Sequence, residues 1–207
     1  MTGVSLRGTG VALAALSLLA AVSAAEAQNA TPMRIRGTVA SIDGQDLTVK
    51  SRDGATVPIK LAPDYTVTAV VKAAMSDIVV GKYVGIAAVP QGDDAEKALE
   101  VLVFPEAARG SGEGHYAWDL APGSMMTNAT IAEAVDKVDG RTLTLKHKDG
   151  VTQIAVPQDV PVVTFAPGDR SLLMPGAGIM VSAAKQPDGT MTANRVLVGK
   201  DGIKPPM

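Results

Sequence analysis

The chain contains no cysteine, which removes disulfides, thiolate nucleophiles, a lipid-modified N-terminal Cys and every Cys-ligated metal centre from consideration. It is almost as poor in histidine, with two, and in aromatics, with one Trp, three Tyr and two Phe in 207 residues. Oligonucleotide and oligosaccharide surfaces rely on several aromatic stacking platforms, so this composition argues against both. The formal net charge is −2 and no run of Lys or Arg occurs, so a basic face for nucleic acid or anionic lipid is not expected either. The nucleophile motif Gly-x-Ser-x-Gly is also missing. The expectation is a protein that is not an enzyme.

Hydrophobic residues make up 46% of the chain, which is ample for one or two packed cores and argues against disorder. The N-terminus carries Arg7, an apolar run from Val11 to Ala25, and Ala25-Glu26-Ala27 before Gln28. This succession of positive, apolar and small residues reads as a secretory signal peptide over residues 1–27. The run is about 15 residues, shorter than the ~20 that span a bilayer, so cleavage is expected and no membrane insertion after it. An exported chain without disulfides fits a bacterial periplasm or secretion better than a small secreted eukaryotic domain.

One stretch occurs twice. Ile42-Asp-Gly-Gln-Asp-Leu-Thr-Val-Lys-Ser-Arg-Asp-Gly54 is followed 96 residues later by Val138-Asp-Gly-Arg-Thr-Leu-Thr-Leu-Lys-His-Lys-Asp-Gly150. Each copy places an alternating apolar run between two Asp-Gly pairs, a strong hairpin signal. At the first turn, a four-residue loop is expected to pair Ile42 with Leu47 and Val138 with Leu143. At the second, the offset drops from 96 to 95. A three-residue loop with Gly54 left-handed is expected in the first copy, and a tight Asp149-Gly150 loop pairing Leu145 with Ile154 and Leu143 with Val156 in the second. Pro58 cannot donate to a ladder, so its strand should have a free edge there.

The correspondence continues beyond the hairpins. Thr66 to Val71 and Val160 to Phe165 read as strands, Ser76 to Gly81 and Ser171 to Gly176 as short 3₁₀-type turns, and Tyr83 to Val89 and Gly178 to Ala184 as strands again. Ala98, Val101, Leu102 and Val103 match Ala193, Val196, Leu197 and Val198. The fold class is therefore all-β: two tandem small β-barrel (OB-like) or sandwich units of about six strands, joined by a Gly-rich central segment. The units are residues 28–105 and 130–207, with residues 106–129 between them. Gly37-Thr38-Val39, the Asp-Gly turns, Leu-Thr-Val, Val80-Gly-x-Tyr-Val84 and a final Leu-Val strand resemble a family of exported bacterial β-barrel domains of unknown function. That resemblance implies the fold and carries no activity. In the second copy Glu133-Ala134 stands where Gly37-Thr38 would be matched.

The centre has no counterpart in either copy. Ala107-Ala-Arg-Gly-Ser-Gly-Glu-Gly114 is linker-like, and no helix follows it to make a phosphate cradle. Beyond it lie His115, Tyr116, Trp118, Asp119, Met125 and Met126. Tyr116 and Trp118 are expected to pack between the two units, with Trp118 largely buried. Tyr116, Trp118 and Asp119 are also the candidate binding residues for an envelope protein partner. His115, Met125 and Met126 are candidate ligands for Cu(I), which favours imidazole and thioether donors. His147 is expected at a solvent-exposed strand end. Asn128-Ala-Thr130 matches a glycosylation sequon. The functional expectation is an exported non-catalytic binding or scaffolding module, with a periplasmic copper or small-ligand carrier as the alternative.

Overall fold

The computed structural model describes residues 33–92 and 95–205, so the signal peptide expected over residues 1–27 lies outside the described residues. The chain is all-β, with twelve strands and three-residue 3₁₀ turns at Met75–Asp77, Glu106–Ala108 and Arg170–Leu172 as the helical elements among the described residues. The strands are β1 Met33–Asp43, β2 Asp46–Ser51, β3 Thr56–Lys72, β4 Tyr83–Pro90, β5 Glu96–Val103 and β6 Gly114–Ala117. They continue as β7 Met125–Lys137, β8 Gly140–His147, β9 Gly150–Pro157, β10 Val162–Pro167, β11 Gly178–Lys185 and β12 Met191–Gly199. The period-2 pattern explains them: Leu47, Val49, Leu143 and Leu145 are fully buried, while Lys50 and Lys146 on the opposite parity are exposed.

Five strands close a barrel in the order β12-β11-β1-β2-β3, with β3 returning to β12 in parallel. A second ring of pairings runs β5-β4-β7-β8-β9, closed by Glu96 opposite Ile154 and Lys97 opposite Ala155. Each ring combines three strands from one sequence copy with a hairpin from the other. Strands β1–β3 take β11–β12, and β7–β9 take β4–β5. Strand β10 bridges them, antiparallel to β3 and parallel to β5. Its central pair is Val70 with Phe165, residues that are themselves equivalent at offset 95. The bridge is thus locally two-fold.

Three cores result. One fills the first ring around Leu47, Ile59, Ile179 and Val196, and one the second around Ile86, Leu143, Leu145 and Ile154. A third, of Val70, Tyr83, Leu102, Phe104, Val163, Met180 and Leu197, lies where the rings meet. Burying each such side chain contributes about 1.5–3 kcal/mol, the only large stabilising term open to a chain without disulfides.

Several expected details hold. Ile42 pairs with Leu47, and Gly54 is left-handed at φ +89° in a three-residue loop closed by Ser51 N donating to Ala55 O at 2.9 Å. Pro58 faces β2, and the pairing of β3 with β12 begins only at Lys60. Three details do not hold. The segments around Val57 and Thr66 form one 17-residue strand, because its two halves serve different partners: β2 first, then β12 and β10. Leu143 pairs with Ala134 and Ile154, not with Val138 and Val156, and Leu145 pairs with Thr152.

In the second hairpin of that copy the tight turn falls at Lys148-Asp149, with His147 opposite Gly150, which moves Leu145 onto Thr152; the Val138 mispairing comes from a longer first hairpin. In both β1 and β7 a bulge follows the buried β-branched residue, between Val39 and Ser41 and between Ile131 and Glu133. Strand β7 therefore matches β1 at offset 92, although β8 matches β2 at offset 96. Four additional residues extend the hairpin, Asp136 pairs with Arg141 at 2.9 Å, and Val138 projects at the tip with 91% exposure. The true counterpart of Gly37-Thr38-Val39 is Ala129-Thr130-Ile131, so the apparent departure at Glu133-Ala134 disappears.

Candidate functional site

The central segment is a hairpin, not a linker. Strand β6 pairs with β7, His115 opposite Thr127, Tyr116 opposite Met126 and Ala117 opposite Met125. Its turn is held by Ser124, whose amide donates to Ala121 O at 3.0 Å and whose hydroxyl donates to Trp118 O at 3.1 Å. Opposed residues share a face and adjacent ones do not. His115, Thr127, Ala117 and Met125 therefore lie on one side, and Tyr116 and Met126 on the other. The expected metal set is divided accordingly: Met125 shares the face of His115, whereas Met126 is turned away and fully buried. The backbone does not turn between the two methionines, because both belong to continuous strand β7.

The outward face meets the first barrel. Arg34 and Arg36, two residues apart on β1 and hence on one side, reach Trp118 and Asp119. The Arg34 guanidinium carbon lies 3.7 Å from the Trp118 ring centroid, a cation–π distance. Arg36 Nη2 donates to Asp119 Oδ1 at 2.9 Å, and Arg34 Nη1 lies 3.7 Å from the same oxygen. Partial burial disfavours the Asp119 carboxylate, but the Arg36 hydrogen bond and the charges of Arg36 and Arg34 outweigh it and hold Asp119 below the usual carboxylate range. Tyr116 meets Trp118 edge to face, with centroids 6.0 Å apart. The three expected binding residues are thus together, but Trp118 is half-buried and not enclosed. It packs at the margin of the seam, where the guanidinium of Arg34 covers one ring face.

Deeper on this side, Asn128 is buried, and its Nδ2 donates to Ser111 O, Gly112 O and Tyr116 Oη at 3.1–3.2 Å. This amide anchors the Gly-rich loop, and its burial makes the sequon unsuited to a glycan. Gly85 is required opposite it, since a Cβ there would lie 2.6 Å from Asn128 Oδ1. Glu100 is 1% exposed, and neither carboxyl oxygen has a hydrogen-bond partner among the described residues. Burial raises its pKa to about 8 against the opposing charge of Arg36.

The inward face forms a polar mouth on the second ring. His115 Nδ1 is 2.9 Å from Thr127 Oγ1, and His115 Nε2 is 3.5 Å from Glu96 Oε1. The ring of His147 lies nearly parallel to that of His115, centroids 5.9 Å apart, and its Nε2 is 3.1 Å from Thr152 Oγ1. His147 is buried, with 9% exposure, and not at an exposed strand end. Strand β6 extends along β7 past the end of β8, so His115 covers it. Burial raises the pKa of Glu96, opposed by His115.

Arg34, Arg36, Glu96 and Glu100 were not singled out from the sequence, and His147 was expected only as an exposed strand end. The alternation Arg34-x-Arg36 was the one available signal, because it places two cations on one strand face. Thr127, His115 and Glu96 line up as a nucleophile, base and orienting carboxylate would. Thr127, however, is wholly inaccessible, so no substrate carbonyl reaches its hydroxyl. Comparison with family models, curated proteins and solved structures returns no match.

Proposed function

We propose that the protein is an exported, non-catalytic binding module of a bacterial envelope, in which two small OB-like barrels present the central hairpin to another envelope protein. The supporting observation is the partly buried Trp118, stacked under the Arg34 guanidinium beside the Asp119–Arg36 pair. Trp, Tyr and Arg dominate the residues that carry protein–protein binding energy, and a ring held by a stacked guanidinium loses little freedom on binding. The composition favours a protein partner: it offers no run of Lys or Arg for nucleic acid and few rings for a stacking surface. The resemblance to exported β-barrel domains and the signal-like residues 1–27 support the address. The carrier alternative, Cu(I) on His115, Met125 and Met126, has weaker support because Met126 faces away from His115.

A photo-crosslinking residue at the exposed Ala117, beside Trp118, in the exported protein tests this reading. One discrete envelope partner, lost in Trp118→Ala and retained in Val138→Ser, is the expected result. Crosslinking that is absent, or equal in Trp118→Ala and wild type, refutes it. Intact mass of the recovered protein should begin at Gln28, and retention of Met1 would count against export with cleavage.

A further inference from the structure

We propose that the mouth of the second ring binds one divalent transition ion through His115 Nε2, His147 Nδ1 and the Glu96 carboxylate. The chemistry of the donors comes first. Two imidazoles and a carboxylate form a set that Zn(II) and its neighbours accept, with metal bonds of about 2.0–2.2 Å.

The second observation is how each imidazole is held. A ligating histidine usually fixes its non-ligating nitrogen with a hydrogen bond, which sets tautomer and orientation. Here His115 Nδ1 is committed to Thr127 and His147 Nε2 to Thr152. This leaves His115 Nε2, already facing Glu96, and His147 Nδ1. The His147 nitrogen is shielded from solvent and without a hydrogen-bond partner among the described residues, as is Glu96 Oε2. Two stranded polar atoms in one mouth carry a desolvation cost that a shared cation would offset. A structural reason for this pair is hard to supply, because Leu or Val in place of His147 would pack the strand end without stranding a nitrogen.

Among the described residues no three such side chains already stand at coordinating distance. With the rings 5.9 Å apart, binding requires them to close on the ion. Met125 and Met126 are not ligands in this site, which separates it from the copper set read from the sequence.

Titration of the full chain with Co(II), followed by competition with Zn(II), provides the test. The expected result is one ion per chain with visible d–d absorption. His147→Gln, His115→Gln and Glu96→Gln should each weaken binding at least about tenfold, and Thr152→Val by roughly 10–100-fold. Met125→Leu and Met126→Leu should match wild type. Absence of a stoichiometric ion, or wild-type affinity in His147→Gln, overturns the proposal. Should the variants fail to fold, NMR of the wild type decides: Co(II) must broaden the imidazole signals of both His115 and His147, and sparing His147 refutes the site.

Discussion

Glu100 offers the sharpest test of the seam between the rings. Its carboxyl group is 1% exposed and lacks a hydrogen-bond partner among the described residues, and its pKa is raised to about 8 from an ordinary 4.5. Below pH 4.5 the group is protonated whether the chain is folded or not, and it contributes no pH dependence. Between 4.5 and about 8 the unfolded chain releases a proton that the folded one retains, so stability falls as pH rises. At about 1.4 kcal/mol per pH unit, the loss is about 3 kcal/mol at pH 7 and about 4–5 kcal/mol once both states are ionised. Glu100→Gln keeps the shape and abolishes this titration. Urea unfolding at half-unit steps from pH 5 to 9 should show wild type and variant diverging from pH 5 to about 8 and levelling off to a constant difference above it, with the variant the more stable at pH 8. Parallel profiles would refute the argument, because they would mean that Glu100 is solvated or fully neutralised by Arg36 in the folded protein.

Two other perturbations bear on the fold. Trp118→Ala should cost about 1.5–2.5 kcal/mol in chemical denaturation, half of the 3–5 kcal/mol for an enclosed aromatic; a loss at the full value would show that Trp118 clamps the seam. Gly140→Ala should destabilise by about 1–3 kcal/mol or more, since Gly140 has φ +140° and a Cβ there would lie 2.2 Å from Val156 O. Wild-type stability in that variant would mean that β8 does not start at residue 140.

The strands and most turns were legible because half-buried sheets impose alternation, and Leu47-Thr48-Val49 and Leu143-Thr144-Leu145 show it without ambiguity. The register of the second hairpin was not. Turn chemistry aligned Asp139-Gly140 with Asp43-Gly44, yet the turn itself falls at Val138-Asp139, and Gly140 opens the next strand opposite Lys137. Asp-Gly was read as the tip of a loop, whereas a glycine with positive φ serves equally well at its shoulder. What fixes the register is packing: the bulge after Ile131 keeps Ile131 and Leu145 inside, and a slip would expose them.

The origin of the strands closing each ring was beyond reach for a different reason. Both sequence copies encode the same strands, so a closing hairpin from either one makes nearly the same contacts, and no residue within a copy distinguishes the arrangements. The difference lies in the connections. Strand β3 remains extended through Lys72 and pairs with β10, which carries β4 and β5 to the other ring. This exchange determines the chemistry as well as the topology. Glu96 lies beside His115 in the mouth formed with His147 because β5 pairs with β9 of the second copy. Arg34 and Arg36 meet Trp118 and Asp119 because β1 of the first copy packs against the hairpin that leads into the second. Each candidate site thus combines the central segment with residues outside it, and each needs the arrangement of both rings. The residues that complete each site therefore lie far from the centre in sequence, so the central aromatic and histidine residues could be grouped only with their own neighbours in the chain.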